Sequence, residues 1–273
     1  MTASELKGKF IGFIGAGNMA GAMITGLSDI AREDRLSAYD IDSTKLIGLS
    51  DKYGVEITPS LEALAAKTDI IIIAVKPDAV PAVCDGIRDA AHDDRLIISI
   101  AAGISTASLE KMLGQNKKIV RAMPNTPLLA GEGMTVITAG KNATGDDMKA
   151  AEEIFSRSGR AITLPEKMMD AVTGISGSGP AYVFTFIQAM ADGGVKHGIP
   201  RDKAVLLAAQ TVLGSAKLVL QTGEEPFTLR GRVTSPGGTT IEAVHVLERG
   251  GFSGIVMDAI EAAAQKSRKL GEK

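Results

Sequence analysis

The sequence predicts an α/β, doubly wound parallel sheet over its first 165 residues and an all-helical region over residues 166–273. Three observations carry that division. Short, β-branched apolar runs recur at residues 10–14, 36–40, 70–75 and 96–100, each bounded by Gly, Pro or Asp and separated by stretches with helical spacing. A glycine-rich turn follows the first run directly. After about residue 165 no period-2 strand returns, and long segments apolar on several faces take over. Strands alternating with helices favour a parallel sheet covered on both faces.

Each element has its own signal. Met19, Met23 and Leu27 recur at spacing four, so a helix follows the first strand. Residues 45–52 read as a helix ending at Gly54, a residue suited to the left-handed position past a C-terminus. Pro77 opens a stretch running toward Ala91, and residues 105–113 form a further helix closed by Gly114. Residues 119–122, 135–138 and 160–164 extend the sheet. Beyond them, residues 181–196 form a helix closed by Gly198. Pro200 starts another over 201–220, and a last helical region runs from about Ile241, interrupted at Gly250-Gly251. A helix apolar all round, as at Val205-Leu206-Leu207-Ala208-Ala209, needs partners on several sides. A second subunit supplies them, so the helical region is read as a homodimerisation domain.

Composition narrows the function. The chain has 273 residues, 45% hydrophobic, and a net charge of -2, which argues against nucleic acid as a partner. Aromatic residues make up only 4%, too few for a base-stacking platform. One cysteine, Cys84, and three scattered histidines, His92, His197 and His245, give no metal-ligand spacing, so no metal is expected. The first nine residues lack a signal-peptide pattern, and the longest continuous apolar run, residues 70–75, is too short to span a bilayer. A cytoplasmic protein without membrane contact is the expectation.

The 31 glycines concentrate in three informative clusters. The first is Gly15-Ala16-Gly17-Asn18-Met19-Ala20, between a strand and a helix. It fits the dinucleotide fingerprint of a Rossmann-type domain: Gly15 for the tight turn, Gly17 for close approach of pyrophosphate, Ala20 for close packing of helix on sheet. Free N–H groups and the positive dipole end at the helix start suit the phosphates. Asp40 ends the second strand at the distance where an acid can accept from the adenosine ribose hydroxyls and repel a 2′-phosphate. The other reading of Asp40 and Asp42 is that they cap the next helix. Further loops at the strand ends, Val75-Lys76-Pro77 and Ala101-Ala102-Gly103, suit a cofactor wall. Two prolines bracket Asn125-Thr126 in a rigid loop able to present an amide and a hydroxyl.

The second cluster, Gly174-Ile175-Ser176-Gly177-Ser178-Gly179-Pro180, precedes a helix. β-Hydroxyacid dehydrogenases follow a similar run with a catalytic Lys and then Asn. Here Val183 and Ile187 occupy those positions, so acid–base machinery for alcohol oxidation is missing. In the third cluster, Ser235-Pro236-Gly237-Gly238-Thr239-Thr240, the spacing of Thr239 and Glu242 is that of a capping box, with Thr239 as N-cap. Thr240 then keeps a free hydroxyl, and the glycines expose backbone N–H groups suited to a carboxylate.

Taken together, these motifs resemble the pyrroline-5-carboxylate reductases over nearly the whole chain. The resemblance rests on Gly15–Ala20, Ala74-Val75-Lys76-Pro77, Met123-Pro124-Asn125-Thr126-Pro127, the Ser176–Tyr182 run, and Thr234–Thr240 continuing to Leu247–Phe252. It implies NADPH- or NADH-dependent reduction of 1-pyrroline-5-carboxylate to L-proline, or of another small cyclic imine on the same scaffold. It implies a substrate carboxylate on Ser235, Gly237, Gly238 and Thr239, and Thr240 at the ring nitrogen as the catalytic residue. It also implies Glu166 and Asn125 near the substrate, and Gly15, Ala16, Gly17, Asn18, Met19, Asp40, Val75, Lys76, Pro77, Ala101, Ala102 and Gly103 around the cofactor. In the family, C-terminal helices of two subunits interlace, and some members build rings of dimers. The chain departs from the family pattern at Glu224-Glu225-Pro226, where many members have Glu-His-Pro. It departs again at Gly231-Arg232, where an acid is usual, and at Leu61, where many place an Asn near the ribose.

Asp40 and Leu61 together oppose a strong preference for the phosphorylated cofactor. NADH is expected to be used at least as well as NADPH when kcat/KM is compared for the two. A tenfold or greater preference for NADPH contradicts this reading.

Overall fold

The computed structural model describes residues 4–31 and 35–271. Its chain divides into two compact units: Met1–Ser178 together with Ala262–Lys273, and Gly179–Glu261. The division falls later than the expected 165/166, and the last helix ends in the first unit. The reason is local: residues 166–178 pack on the sheet, through Met169 and Val172 against Val136, Met123 and Leu164.

In the first unit, β1 (Ile11–Ile14), β2 (Leu36–Tyr39), β3 (Glu56–Ile57), β4 (Ile70–Ile73), β5 (Leu96–Ser99), β6 (Lys118–Met123), β7 (Gly133–Ala139) and β8 (Gly159–Thr163) make one sheet. Their order is β3-β2-β1-β4-β5-β6-β7-β8. Neighbours pair parallel except β6 with β7. The helices are α1 (Asn18–Gly26), α2 (Ser28–Ala31), α3 (Ser43–Tyr53), α4 (Leu61–Lys67), α5 (Val80–Ile87), α6 (Thr106–Leu113), α7 (Gly145–Ser156) and α8 (Met169–Val172).

The doubly wound layout follows from strand alternation. Ile70 and Ile72 of β4 enter one core, with α1, α3 and α7 residues such as Met23, Leu46 and Phe155. Ile71 and Ile73 enter the other, with Leu64 of α4, Val83 and Cys84 of α5 and Leu109 of α6. Successive side chains of a strand point to opposite faces, so a run of four isoleucines requires helices on both. Burial pushes the Cys84 thiol up to about 11, which leaves it an unreactive core residue.

Several elements carried no clear signal. The edge strand β3 has two exposed residues, and α2 and α4 are short. Helix α7 did carry one: Thr144 accepts from the Asp147 N–H, and Asp147 accepts in return from the Thr144 N–H.

The second unit holds α9 (Gly179–Lys196), α10 (Arg201–Thr222), α11 (Pro226–Arg232), α12 (Thr239–Arg249) and the first part of α13 (Phe252–Gly271). Its core is small: Ala191, Ala204 and Ala208, with Ile187, Met190, Val195 and Ile199 against them. Phe184, Leu206, Leu207, Leu213, Leu220, Ile255 and Met257 are all more than half exposed. Among the described residues α10 is also the one helix long and apolar enough to cross a membrane.

Replacing Thr144 by Ala removes the side-chain acceptor of the Asp147 N–H and leaves the bond from the Thr144 N–H to Asp147. A loss of about 1 kcal/mol is expected, read as a Tm lower by about 2–4 °C, with no change in cofactor affinity.

Candidate active site

The strand β1 ends in a turn whose first glycine is required by the chain itself. Gly15 has φ +102, and a Cβ there would lie 2.6 Å from the Ala74 carbonyl oxygen. Gly17 differs. Its φ is -76 and a Cβ would meet nothing within 4 Å. Neither backbone nor packing asks for glycine at 17, which leaves the close approach of a ligand to the backbone as its physical use. No side chain caps α1, so the N–H groups of its first turn, at Asn18 and Met19, have no capping partner. Ala16 and Ala20 are buried, the latter bringing α1 close to the sheet. These features fit a dinucleotide pyrophosphate.

Asp40 is more than a terminal acid. Its Oδ2 accepts from the Ala16 N–H at 2.7 Å and its Oδ1 from the Asp42 N–H at 2.8 Å. The carboxylate therefore fixes the glycine loop from the neighbouring strand. Capping of α3 falls to Asp42, whose side chain accepts from the Thr44 N–H. A carboxylate offers about four acceptor positions, so Asp40 has acceptor capacity beyond these two bonds. Asp42 is held below the usual carboxylate range, chiefly by the Thr44 hydroxyl.

Val75 borders Gly15, with its methyl 3.1 Å from where a Cβ would stand. Lys76 and Pro77 are exposed, and Pro77 opens a short 3-10 turn. Ala101 is buried and donates to the Ser99 hydroxyl, and Ala102 is partly exposed. Gly103, expected beside the cofactor, is buried under the last turn of α13, where its missing Cβ would lie 3.4 Å from Leu270 Cβ.

Asn125 and Glu166 turn out to face inward. Asn125 donates through Nδ2 to the Ser176 carbonyl and hydroxyl, at 3.2 and 3.3 Å, and accepts through Oδ1 from the Met134 N–H at 2.8 Å. The Asn125 side chain thus braces the chain at Ser176 and Met134. Glu166 accepts from Arg121 Nη1 at 2.6 Å and from the Thr106 N–H that starts α6 at 3.4 Å. Its Oε2 is buried without a hydrogen-bond partner among the described residues. Arg121 is 5% exposed and was missed as a site residue. A charge inside the apolar strand Lys118–Met123 was its available signal.

In the second unit the Ser235–Thr240 loop departs from the expected capping. Helix α12 starts at Thr239, one residue early, with Gly238 as N-cap and no side-chain cap bond. Gly237 at φ +66 and the turn from the Gly238 N–H to the Ser235 carbonyl place the helix start there. A Cβ on Gly238 would stand 2.4 Å from the Ser235 hydroxyl, so glycine lets that hydroxyl lie against the backbone. Thr239 is thus the first helical residue rather than the cap, and Thr240 the second. Ser235 and Thr239 are exposed and Thr240 is half-buried. An uncapped start of an 11-residue helix presents its first N–H groups to an anion. Glu224 and Arg232, the latter a departure from the family pattern, form a forked ion pair at 2.8 and 2.5 Å across α11.

A family model described as pyrroline-5-carboxylate reductase dimerisation matches residues 166–270. One described as NADP oxidoreductase, coenzyme F420-dependent, matches residues 10–103. The chain is 43% identical to the pyrroline-5-carboxylate reductase of Methanosarcina acetivorans, over 98% of this chain and 100% of that relative. Among solved structures, it matches the Coxiella burnetii pyrroline-5-carboxylate reductase with a TM-score of 0.91 and 35% identity, covering 97% and 99% of the two chains. It matches the Plasmodium falciparum pyrroline carboxylate reductase, whose structure has NADP bound, with a TM-score of 0.86 and 36% identity, covering 98% and 100%. On this similarity along its whole length, the chain belongs to the pyrroline-5-carboxylate reductase family.

Proposed function

We propose that this chain reduces 1-pyrroline-5-carboxylate to L-proline with NADH or NADPH, the last step of proline biosynthesis. The observation that carries the reading is the uncapped start of α12 behind Ser235-Pro236-Gly237-Gly238, in a chain of this family. The substrate offers one carboxylate and one ring nitrogen. The carboxylate is received by N–H groups at Gly237, Gly238, Thr239 and Thr240 and by the Ser235 hydroxyl, with the helix dipole adding to the attraction. The Thr240 hydroxyl lies one turn position further and meets the ring nitrogen, orienting it and relaying its proton.

The reduced nicotinamide supplies the hydride to the imine carbon. Gly15, Ala16, Gly17, Asn18 and Met19 hold its pyrophosphate, and Asp40 holds the adenosine ribose. Val75, Lys76, Pro77, Ala101 and Ala102 form the neighbouring wall. A protonated imine is already electrophilic, and reduction turns C=N into the ring amine without a leaving group. Strong general-acid power is not needed, and positioning of the two reactants provides most of the acceleration. This accounts for a site of amides and hydroxyls with no histidine among its assigned residues.

The exposed apolar side chains of α9, α10 and α13 are covered in a homodimer through the C-terminal helices. Rings of such dimers are compatible with this interface.

Oxidation of NADH and NADPH with racemic pyrroline-5-carboxylate tests the reaction, and absence of turnover refutes it. Thr240→Ala is expected to lower kcat/KM by about one to two orders of magnitude, the worth of a hydrogen bond to a charged group. Full retention of kcat/KM removes Thr240 from the mechanism. Light scattering at micromolar concentration is expected to give two chains or a multiple of two, and a monomer refutes the shared-helix assembly.

A further inference from the structure

Arg121, Met123 and Asn125 stand at every second position along β6 and its extended continuation, so they share one face. All three engage the segment 166–177. Arg121 pairs with Glu166 at 2.6 Å. The Met123 methyl packs so close to Gly177 that a Cβ there would come within 2.7 Å of it. Asn125 Nδ2 donates to the Ser176 carbonyl and hydroxyl oxygens.

The clamped segment ends in a π-helical turn, Thr173–Gly177, closed by the Ser178 N–H on the Thr173 carbonyl. Such turns are rare and occur frequently at functional sites. The chain passes into the second unit immediately afterwards, at Ser178/Gly179. Its return passage, at Glu261/Ala262, leads to Ser267, whose hydroxyl donates to Asp170 at 2.7 Å in the same segment. Both covalent passages are therefore anchored, within the first unit, on one short block that β6 grips.

Resting on the reaction proposed above, we propose that Asn125 is a positioning residue for hydride transfer. By pinning the π-turn it fixes where the chain leaves the cofactor-binding unit. The reaction proposed above draws its hydride from the cofactor held by that unit. Loss of the pin affects the reacting geometry more than the binding of either reactant, because small misplacements cost rate steeply.

The test is Asn125→Ala, with Ser176→Ala as a milder variant that keeps the carbonyl acceptor, and Asn142→Ala as a control for loss of an unrelated loop amide. Asn125→Ala is expected to lower kcat at least tenfold, with cofactor Kd within twofold of the parent and a larger isotope effect on kcat with 4-deuterated cofactor. Ser176→Ala is expected to lower kcat two- to fourfold, and Asn142→Ala to leave it unchanged. Hydrogen exchange of residues 174–178 is expected to accelerate in both pin variants, without change in the central strands. A kcat for Asn125→Ala within twofold of the parent overturns the proposal, as does a loss that vanishes once activity is normalised to folded protein. Should the parent itself not turn over pyrroline-5-carboxylate, the reaction reading fails. The exchange measurement then decides the brace alone: acceleration at 174–178 supports it, and unchanged exchange in both variants overturns it.

Discussion

Because β4 sends Ile70 and Ile72 into one core and Ile71 and Ile73 into another, neither face of the central sheet can meet water. Helices must cover both sides, and parallel strands then return by crossovers that leave their carboxyl ends on a common edge. The fingerprint loop after β1, Asp40 after β2, Val75 after β4 and Ala101 after β5 share an edge for that reason. The dinucleotide-binding arrangement is a consequence of how apolar surface is buried before any ligand is considered.

The loops on that edge are held by polar bonds reaching across elements. Asp40 illustrates how one side chain can serve two purposes. Its two oxygens fix Ala16 and Asp42 by their backbone N–H groups, and the same carboxylate places a negative charge where a cofactor ribose is expected. Arg121 and Glu166 join the middle of β6 to the segment after β8 and to the first N–H of α6. A charge pair so placed is costly to break, since removal of one partner strands the other away from water. Its value here lies in geometry.

The second unit obeys a different economy of burial. Its own core is three alanines and the apolar side chains around them, while long stripes of Leu, Phe and Ile stay exposed. Such helices are incomplete as a single copy, which is why the family of dimerisation domains matching residues 166–270 is informative about assembly. The apolarity that makes α10 long and greasy enough for a membrane has a simpler use against another subunit.

Sequence alone determined the strand–helix alternation, the fingerprint loop and the helical second part. Each is written in local periodicity or in a glycine forced by backbone geometry, as at Gly15. The family resemblance was likewise legible, because its motifs are contiguous. The tertiary structure decided what depends on residues distant in the chain. Asn125 became a brace because Ser176 and Met134 fold onto it, and Glu166 met Arg121 through one of its oxygens because β6 passes beside it. Thr239 lost the capping role its spacing to Glu242 suggested, because Gly237 and Gly238 begin α12 one residue earlier. The boundary between units moved past residue 165 because residues 166–178 find their apolar partners on the sheet. Spacing reveals which groups a segment can offer, but a side chain's hydrogen-bond partner is set by the fold that brings it near.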